Sequence, residues 1–292
     1  MTKAGAQTVL LCGPADVVRC ARKRDPDSHK GDDGVCLVVG GCSDLVGAPA
    51  LAAQAALASL RTGTDLVRVA APEKVAWVIN SFSADLITQK LRGPCLSEKH
   101  LKEVLAEANK ADAVLMGPGA GLHKETVAFF RKAIPKIRKP LILDADALKA
   151  AKGMKFSGKV LITPHAREFE VFSGKKVPKL LSKRMQAVAA VAKKHKCVVL
   201  LKGRFDIVSD GKTTKVNNTG NPGMTVGGTG DILAGLCLGL AAKKNNLLDT
   251  ACAAAYLNGK AGDILHAVKG YTFIASDFLL VIPKLLKKWG FK

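Results

Sequence analysis

Aromatic side chains are scarce, with two Trp, two Tyr and ten Phe in 292 residues. A stacking platform for single-stranded nucleic acid would have little material. Acidic residues are outnumbered, 24 Asp and Glu against 45 Lys and Arg, and the formal charge of +21 favours anionic ligands. Nucleotides, nucleic acid and anionic membranes all fit that sign. No Cys-x-x-Cys pair occurs among Cys12, Cys20, Cys36, Cys42, Cys95, Cys197, Cys237 and Cys252. A zinc ribbon is excluded, no structural metal is expected, and the thiols read as buried and free in a reducing cytoplasm. The longest apolar segment, 232–242, lies between Asp231 and Lys243-Lys244 and is too short to span a bilayer. The apolar stretch Thr8 to Gly13 is likewise too short for a secretory signal. Neither a Gly-x-x-x-x-Gly-Lys-Ser/Thr loop nor a dinucleotide fingerprint after the first strand is present, which disfavours P-loop and nicotinamide-dependent hydride chemistry.

What is present is a rhythm of short apolar runs followed by amphipathic or Ala-rich stretches. Strands are predicted over 35–39, 65–70, 113–116, 141–143, 159–162 and 197–201, each almost continuously apolar, as strands covered on both faces should be. Helices are predicted over 48–61, 97–109, 124–133, 179–195, 229–242 and 248–267. The segments 205–209 and 213–216, joined through Asp210-Gly211, read as an antiparallel hairpin at the sheet edge. The expectation is an α/β fold with a mostly parallel sheet between two helical layers. Residues 1–29 read as a basic, partly ordered leader, and 30–292 as a single domain.

The most informative stretch runs from Asn218 through Gly220-Asn221-Pro222-Gly223-Met224 to Gly227-Gly228-Thr229-Gly230-Asp231, where a helix begins. Glycines there leave backbone N–H groups uncovered and make an anion hole for phosphate. A capping loop whose Asp231 complements the helix dipole explains the lone motif about as well, but the polar lead-in and the second glycine turn at Asn221-Pro222-Gly223 favour function, with Asp231 as the base that accepts a proton from an attacking hydroxyl. Three other segments fall at predicted strand ends, where open α/β sheets bind ligands: Gly40 to Pro49, Gly117-Pro118-Gly119-Ala120-Gly121, and Thr163-Pro164-His165-Ala166-Arg167-Glu168. Asp144 and Asp146 add carboxylates at a further strand end, where Asp146 reads as a helix cap.

These segments, in this order, resemble the ADP- or ATP-dependent NAD(P)H-hydrate dehydratases, a family with the ribokinase-like fold. The matching residues are Lys30-Gly31-Asp32, Val38-Val39-Gly40-Gly41, Gly47-Ala48-Pro49, Gly117-Pro118-Gly119, 143–148, Thr163-Pro164-His165-x-x-Glu168 and 220–231. The resemblance implies a three-layer αβα ribokinase-like fold and repair of hydrated NADH or NADPH. The C6 hydroxyl is phosphorylated by the nucleotide, phosphate leaves, and loss of a C5 proton restores the dihydronicotinamide. It further implies that Ala48, Gly119, His165 and Asp231 contact the hydrated cofactor, and that Lys202, Gly203 and Gly230, with Gly227, Gly228 and Thr229 of the anion hole, contact the nucleotide. Glu168 and Asn218 would order a cation, water or phosphate. ADP, converted to AMP and phosphate, is the expected co-substrate, with ATP as the alternative and Mg²⁺ as the expected cation. A homo-oligomer, dimer or tetramer, and a separate hydrate epimerase are the implied protein partners. Two departures stand out: Arg204-Phe205-Asp206 follows Lys202-Gly203 where the family often has Ala and then Thr, and Cys42-Ser43-Asp44-Leu45 replaces a loop with Lys and Tyr. The rival readings are a ribokinase-like kinase for a vitamin precursor of the hydroxymethyl-pyrimidine or hydroxyethyl-thiazole type, and a basic nucleic-acid-binding protein.

Overall fold

The structure is a computed structural model and describes residues 9–44 and 47–291. Lys3, Thr8 and the Leu45-Val46 portion of the loop after the first long strand lie outside the described residues.

Alternation along the central strands builds the layers. In β2 (Val35–Val39), Cys36 and Val38 join one apolar cluster while Leu37 and Val39 join another on the opposite face. The same division holds in β8 (Val198–Leu201), where Val198 and Leu200 face one way and Val199 and Leu201 the other. A period of two with apolar residues at both phases requires cover on both sides. One cover is formed by α2 (Ala48–Leu60), α9 (Thr229–Ala242), α10 (Leu247–Lys269) and α11 (Phe278–Lys288). The other includes α4 (Leu101–Lys110), α5 (Lys124–Ala133), α6 (Ala145–Ala150), α7 (Ala166–Ser173) and α8 (Leu181–His195).

The remaining strands are β1 (Leu10–Leu11), β3 (Leu66–Pro72), β4 (Ile87–Leu91), β5 (Ala113–Met116), β6 (Leu141–Leu143), β7 (Val160–Ile162), β9 (Asp206–Ser209) and β10 (Thr214–Asn217). They lie in the order β1-β10-β9-β8-β7-β6-β5-β2-β3-β4. All neighbours are parallel except β9, which runs against both β8 and β10. The hairpin is therefore not the outermost piece of its edge, because Leu10 and Leu11 pair with Lys215 and Val216 beyond it. They lead into α1 (Pro14–Cys20), which packs on α10 and whose buried Asp16 accepts from the Lys215 ammonium at 2.6 and 2.8 Å.

The chain leaves β2 towards β3 and β4 on one side, then returns to place β5 beside β2 and continues the other way. The connections after β2 and β5 therefore diverge to opposite layers, and a crevice opens between them at the carboxyl edge. Short elements that the apolar rhythm does not announce are α3 (Glu73–Phe82), β4, α6 and α7. All eight cysteines are buried and free. Among the described residues no helix is long and apolar enough to cross a membrane.

Alanines at 52, 53, 55, 56 and 58 let α9 lie closely on α2. Gly235 marks the tightest approach: a Cβ there would sit 2.1 Å from the Ala55 carbonyl oxygen. The Ser59 hydroxyl donates across the same contact to the Gly235 carbonyl at 2.9 Å. Gly235→Ala should therefore lower stability by about 1–3 kcal/mol through overpacking, read as a lower midpoint in urea denaturation. An unchanged midpoint would show that the helices can part without cost.

Candidate active site

At the crevice, the turn after β5 is held by contacts that admit no side chain. Gly117 has φ of 120° and a Cβ there would lie 1.9 Å from the Asp144 carbonyl oxygen; Gly119 has φ of 59° and a Cβ there would lie 2.8 Å from Ala48. Gly119 and Ala48 thus meet across the two diverging loops. The Gly121 amide donates to Asp146 Oδ2 at 2.9 Å, and Lys149 reaches Asp146 Oδ1 at 2.9 Å. Asp146 is therefore not the cap of α6: Asp144 occupies that position, and Asp146 braces the neighbouring loop.

Along the edge, Thr163 Oγ1 donates to Asp144 Oδ1 at 2.7 Å, and the Lys202 ammonium reaches the same oxygen at 2.9 Å. Asp144, at the end of β6, and Lys202, just beyond β8, are 58 residues apart in sequence. His165 begins α7 as its cap: its Nδ1 accepts from the amides of Arg167 (3.1 Å) and Glu168 (3.3 Å). The Glu168 carboxylate accepts from the His165 amide at 3.0 Å and is almost wholly buried. Nδ1 is consequently the acceptor nitrogen, and the exposed Nε2, 3.5 Å from Glu168 Oε1, is left as the donor.

Above this edge stands the amino end of α9. Gly228 is its cap, with φ of 93°, and a Cβ there would sit 2.4 Å from Gln54 Oε1. Thr229 and Gly230 form the first turn with Asp231. Burial, with the negative charges of Asp144 and Glu168, raises the Asp231 carboxyl to about 7, against the opposing pull of Lys202. Burial alone would lower the Lys202 ammonium, but Asp144, Glu168 and Asp231 outweigh it and hold it above its ordinary value. A carboxyl tuned close to neutrality beside uncovered helix amides can accept a proton while anionic oxygen is stabilised next to it.

A cavity of about 660 Å³ opens beside that turn, lined among others by His165, Lys202, Gly203, Arg204, Asp206, Thr229 and Gly230. Gly227 and Asn218 are exposed and do not line it, and Gly228 lies in the packed cap rather than on its wall. The Gly203 amide is already engaged by Asp206 Oδ1 at 3.0 Å. Burial raises Asp206 to about 6, opposed by that amide and by the Asn217 side chain, 3.0 Å from Oδ2. Sequence reasoning misses Asp206 and Asn217 as site residues, for which the departure at 204–206 is the available signal, and it names Asp144 and Lys202 separately but not as a pair. Asn258, also on the cavity wall, has a buried carbonyl oxygen with no donor.

The model of the NAD(P)H-hydrate dehydratases matches residues 36–284. The chain belongs to the NAD(P)H-hydrate dehydratase family. Its relatives include a bifunctional NAD(P)H-hydrate repair enzyme of Pyrobaculum aerophilum, 42% identical over 285 residues, covering 97% of this chain and 56% of the relative. An ADP-dependent (S)-NAD(P)H-hydrate dehydratase of Cenarchaeum symbiosum is 34% identical over 280 residues, covering 95% of this chain and 96% of that one. The chain thus spans about half the length of the bifunctional relatives. An ADP/ATP-dependent NAD(P)H-hydrate dehydratase from Bacillus subtilis, co-crystallised with ATP and Mg²⁺, superposes with a TM-score of 0.82 over 97% of this chain and 100% of that chain at 24% identity. A ribokinase-like protein of Enterococcus faecalis superposes with 0.85 over 100% of both chains at 22% identity. The expected three-layer ribokinase-like fold is borne out.

In this member of the dehydratase family the Asp231 carboxyl keeps its proton to about pH 7 in the folded state, whereas an exposed Asp in the unfolded chain loses it near pH 4. The folded state therefore binds the extra proton between those values, and this contribution to stability is lost as pH rises from about 4 through about 7. Relative to the wild type, Asp231→Asn should gain melting temperature above pH 7, with the gap closing as pH falls towards 4. Parallel melting curves for the two proteins across that window would contradict the assignment.

Proposed function

We propose that this chain dehydrates hydrated NADH or NADPH at the expense of ADP, with ATP as the alternative donor, restoring the dihydronicotinamide as a metabolite-repair lyase. The observation that carries the reading is Asp231, held near neutral pKa at the amide-rich start of α9 and next to a cavity of nucleotide size. Hydroxide is a poor leaving group, so phosphorylation comes first. Asp231 takes the proton of the C6 hydroxyl as its oxygen attacks the terminal phosphorus of ADP; the bond to the bridging oxygen breaks and AMP departs. The C6–O bond then breaks, phosphate leaves with the electron pair, the ring nitrogen supplies electrons, and loss of the C5 proton re-forms the double bond.

The roles proposed for this chain's residues follow from their placement. Ala48, Gly119 and His165 would position the hydrated ring, with the exposed His165 Nε2 as donor. Lys202 would balance phosphate charge without leaving Asp144, and the Gly230 and Thr229 end of α9 would receive the phosphates, with Gly227, Gly228 and Gly203 shaping the turns around them. Asn218 would order water or phosphate from outside the cavity. Mg²⁺ needs oxygen ligands, and Asp144 and Glu168 supply two buried carboxylates beside the α9 turn. They fit such an ion, which would screen the phosphate charge. A cytoplasmic setting agrees with eight free thiols. A homo-oligomer and an epimerase acting on the same hydrate complete the proposal.

Purified protein given hydrated NADH and ADP should restore the NADH absorbance with stoichiometric release of phosphate and AMP, and Asp231→Asn should lose about 10²–10⁴-fold in kcat. Accumulation of a stable phosphorylated alcohol from a vitamin precursor, without NADH, would assign a kinase instead.

A further inference from the structure

Away from the Asp231 turn, Cys95, His123 and Glu125 bring three potential ligand atoms within 4.8 Å of one another, the one such grouping of three among the described residues. Cys95 Sγ is buried, 3.7 Å from His123 Nδ1 and 3.8 Å from Glu125 Oε2. Bonds of about 2.3 Å to sulfur and about 2.1 Å to nitrogen or oxygen, meeting at a tetrahedral angle, put the two ligand atoms about 3.6 Å apart. Both observed distances lie close to that edge. Sulfur to nitrogen and sulfur to oxygen are thus spaced about as a tetrahedral ion would hold them, and the His123 and Glu125 ligand atoms lie within 4.8 Å of each other.

We propose that Cys95, His123 and Glu125 form a binding site for a borderline divalent transition metal of the zinc type, separate from the nucleotide's Mg²⁺. A thiolate and an imidazole select such a metal over Mg²⁺, which takes oxygen ligands. Cys95 and His123 line a cavity of about 330 Å³ whose wall also includes Asp44 and Gly121. Asp44 or water would complete the shell. His123 and Glu125 begin α5, whose positive amino end disfavours a cation; the Glu125 charge offsets it. Metal binding would tie the loop before α4 to His123, the cap of α5, two residues beyond Gly121. None of this depends on the dehydratase reading.

Co²⁺ is the probe. The full chain, freed of metal by a chelator, is expected to bind one equivalent of Co²⁺ with a thiolate-to-cobalt absorption band, displaced by Zn²⁺ but not by excess Mg²⁺. Cys95→Ser should abolish the band, and His123→Ala, at an exposed position, should weaken Co²⁺ binding by at least about tenfold. Circular dichroism of both variants checks that they fold. No band in the wild type, displacement by Mg²⁺, or a band that survives Cys95→Ser in a folded protein would overturn the site.

Discussion

The close contact of α9 with α2 is the constraint on which the site rests. Small residues on both helices let α9 settle against the sheet so that its first turn stands over the carboxyl edge, beside the ends of β6, β7 and β8. A longer side chain at Gly235 would push against the Ala55 carbonyl oxygen and lift that turn away from Asp144 and Lys202. Packing in the interior thus sets the position, and through it the ionisation, of a carboxyl at the surface of the sheet edge. The same close approach explains why α2 is so rich in alanine: its composition serves contact rather than chemistry.

Electrostatics at the edge is local. One ammonium, Lys202, faces three carboxylates, Asp144, Glu168 and Asp231, and burial makes the excess negative charge costly enough to hold Asp231 near neutrality. The chain's formal charge of +21 is distributed elsewhere. Arg138, Lys139, Lys155 and Lys159 surround a separate cavity at the opposite ends of β6 and β7, and Lys132 pairs with Glu98 at 2.5 Å. Net charge therefore attracts anions to the molecule without naming the site, which is built from helix amides and a single paired lysine. This distribution also weakens a nucleic-acid reading, since no aromatic side chain is interleaved in that basic region except Phe156.

Legibility in the sequence followed the physics of each feature. The central strands were readable because burial on both faces demands uninterrupted apolar runs, and β2, β5, β6 and β8 fall within a residue of their expected bounds. β4 was not, because Ile-Thr-Gln-Lys-Leu at the sheet edge needs no such run, and α6 was announced only by a cap, placed at Asp146 rather than Asp144, because six residues starting at Ala145, with φ of 48°, carry no helical period. β1 escaped for a similar reason: two exposed leucines ahead of a helix look like leader. Asp231 and the glycines before it were visible, since a helix beginning in glycines announces an anion site. The partnership of Asp144 with Lys202 was not, because 58 residues separate them and only the β6–β7–β8 register brings them together. His165 was legible as a residue but its capping role fixes which ring nitrogen remains free, and that is a structural fact.

The proposed base, Asp231, has its ionisation set by burial and by the charges around it. The pH dependence of kcat/KM for hydrated NADH, with ADP saturating, tests it most directly when wild type and Lys202→Met are compared. An acid limb with a midpoint near 7 is expected in the wild type, displaced upward in Lys202→Met, because removing the ammonium leaves Asp144 and Glu168 to raise the carboxyl further. A limb at the pH of an ordinary exposed carboxyl, or one that stays in place when Lys202 is removed, would contradict it.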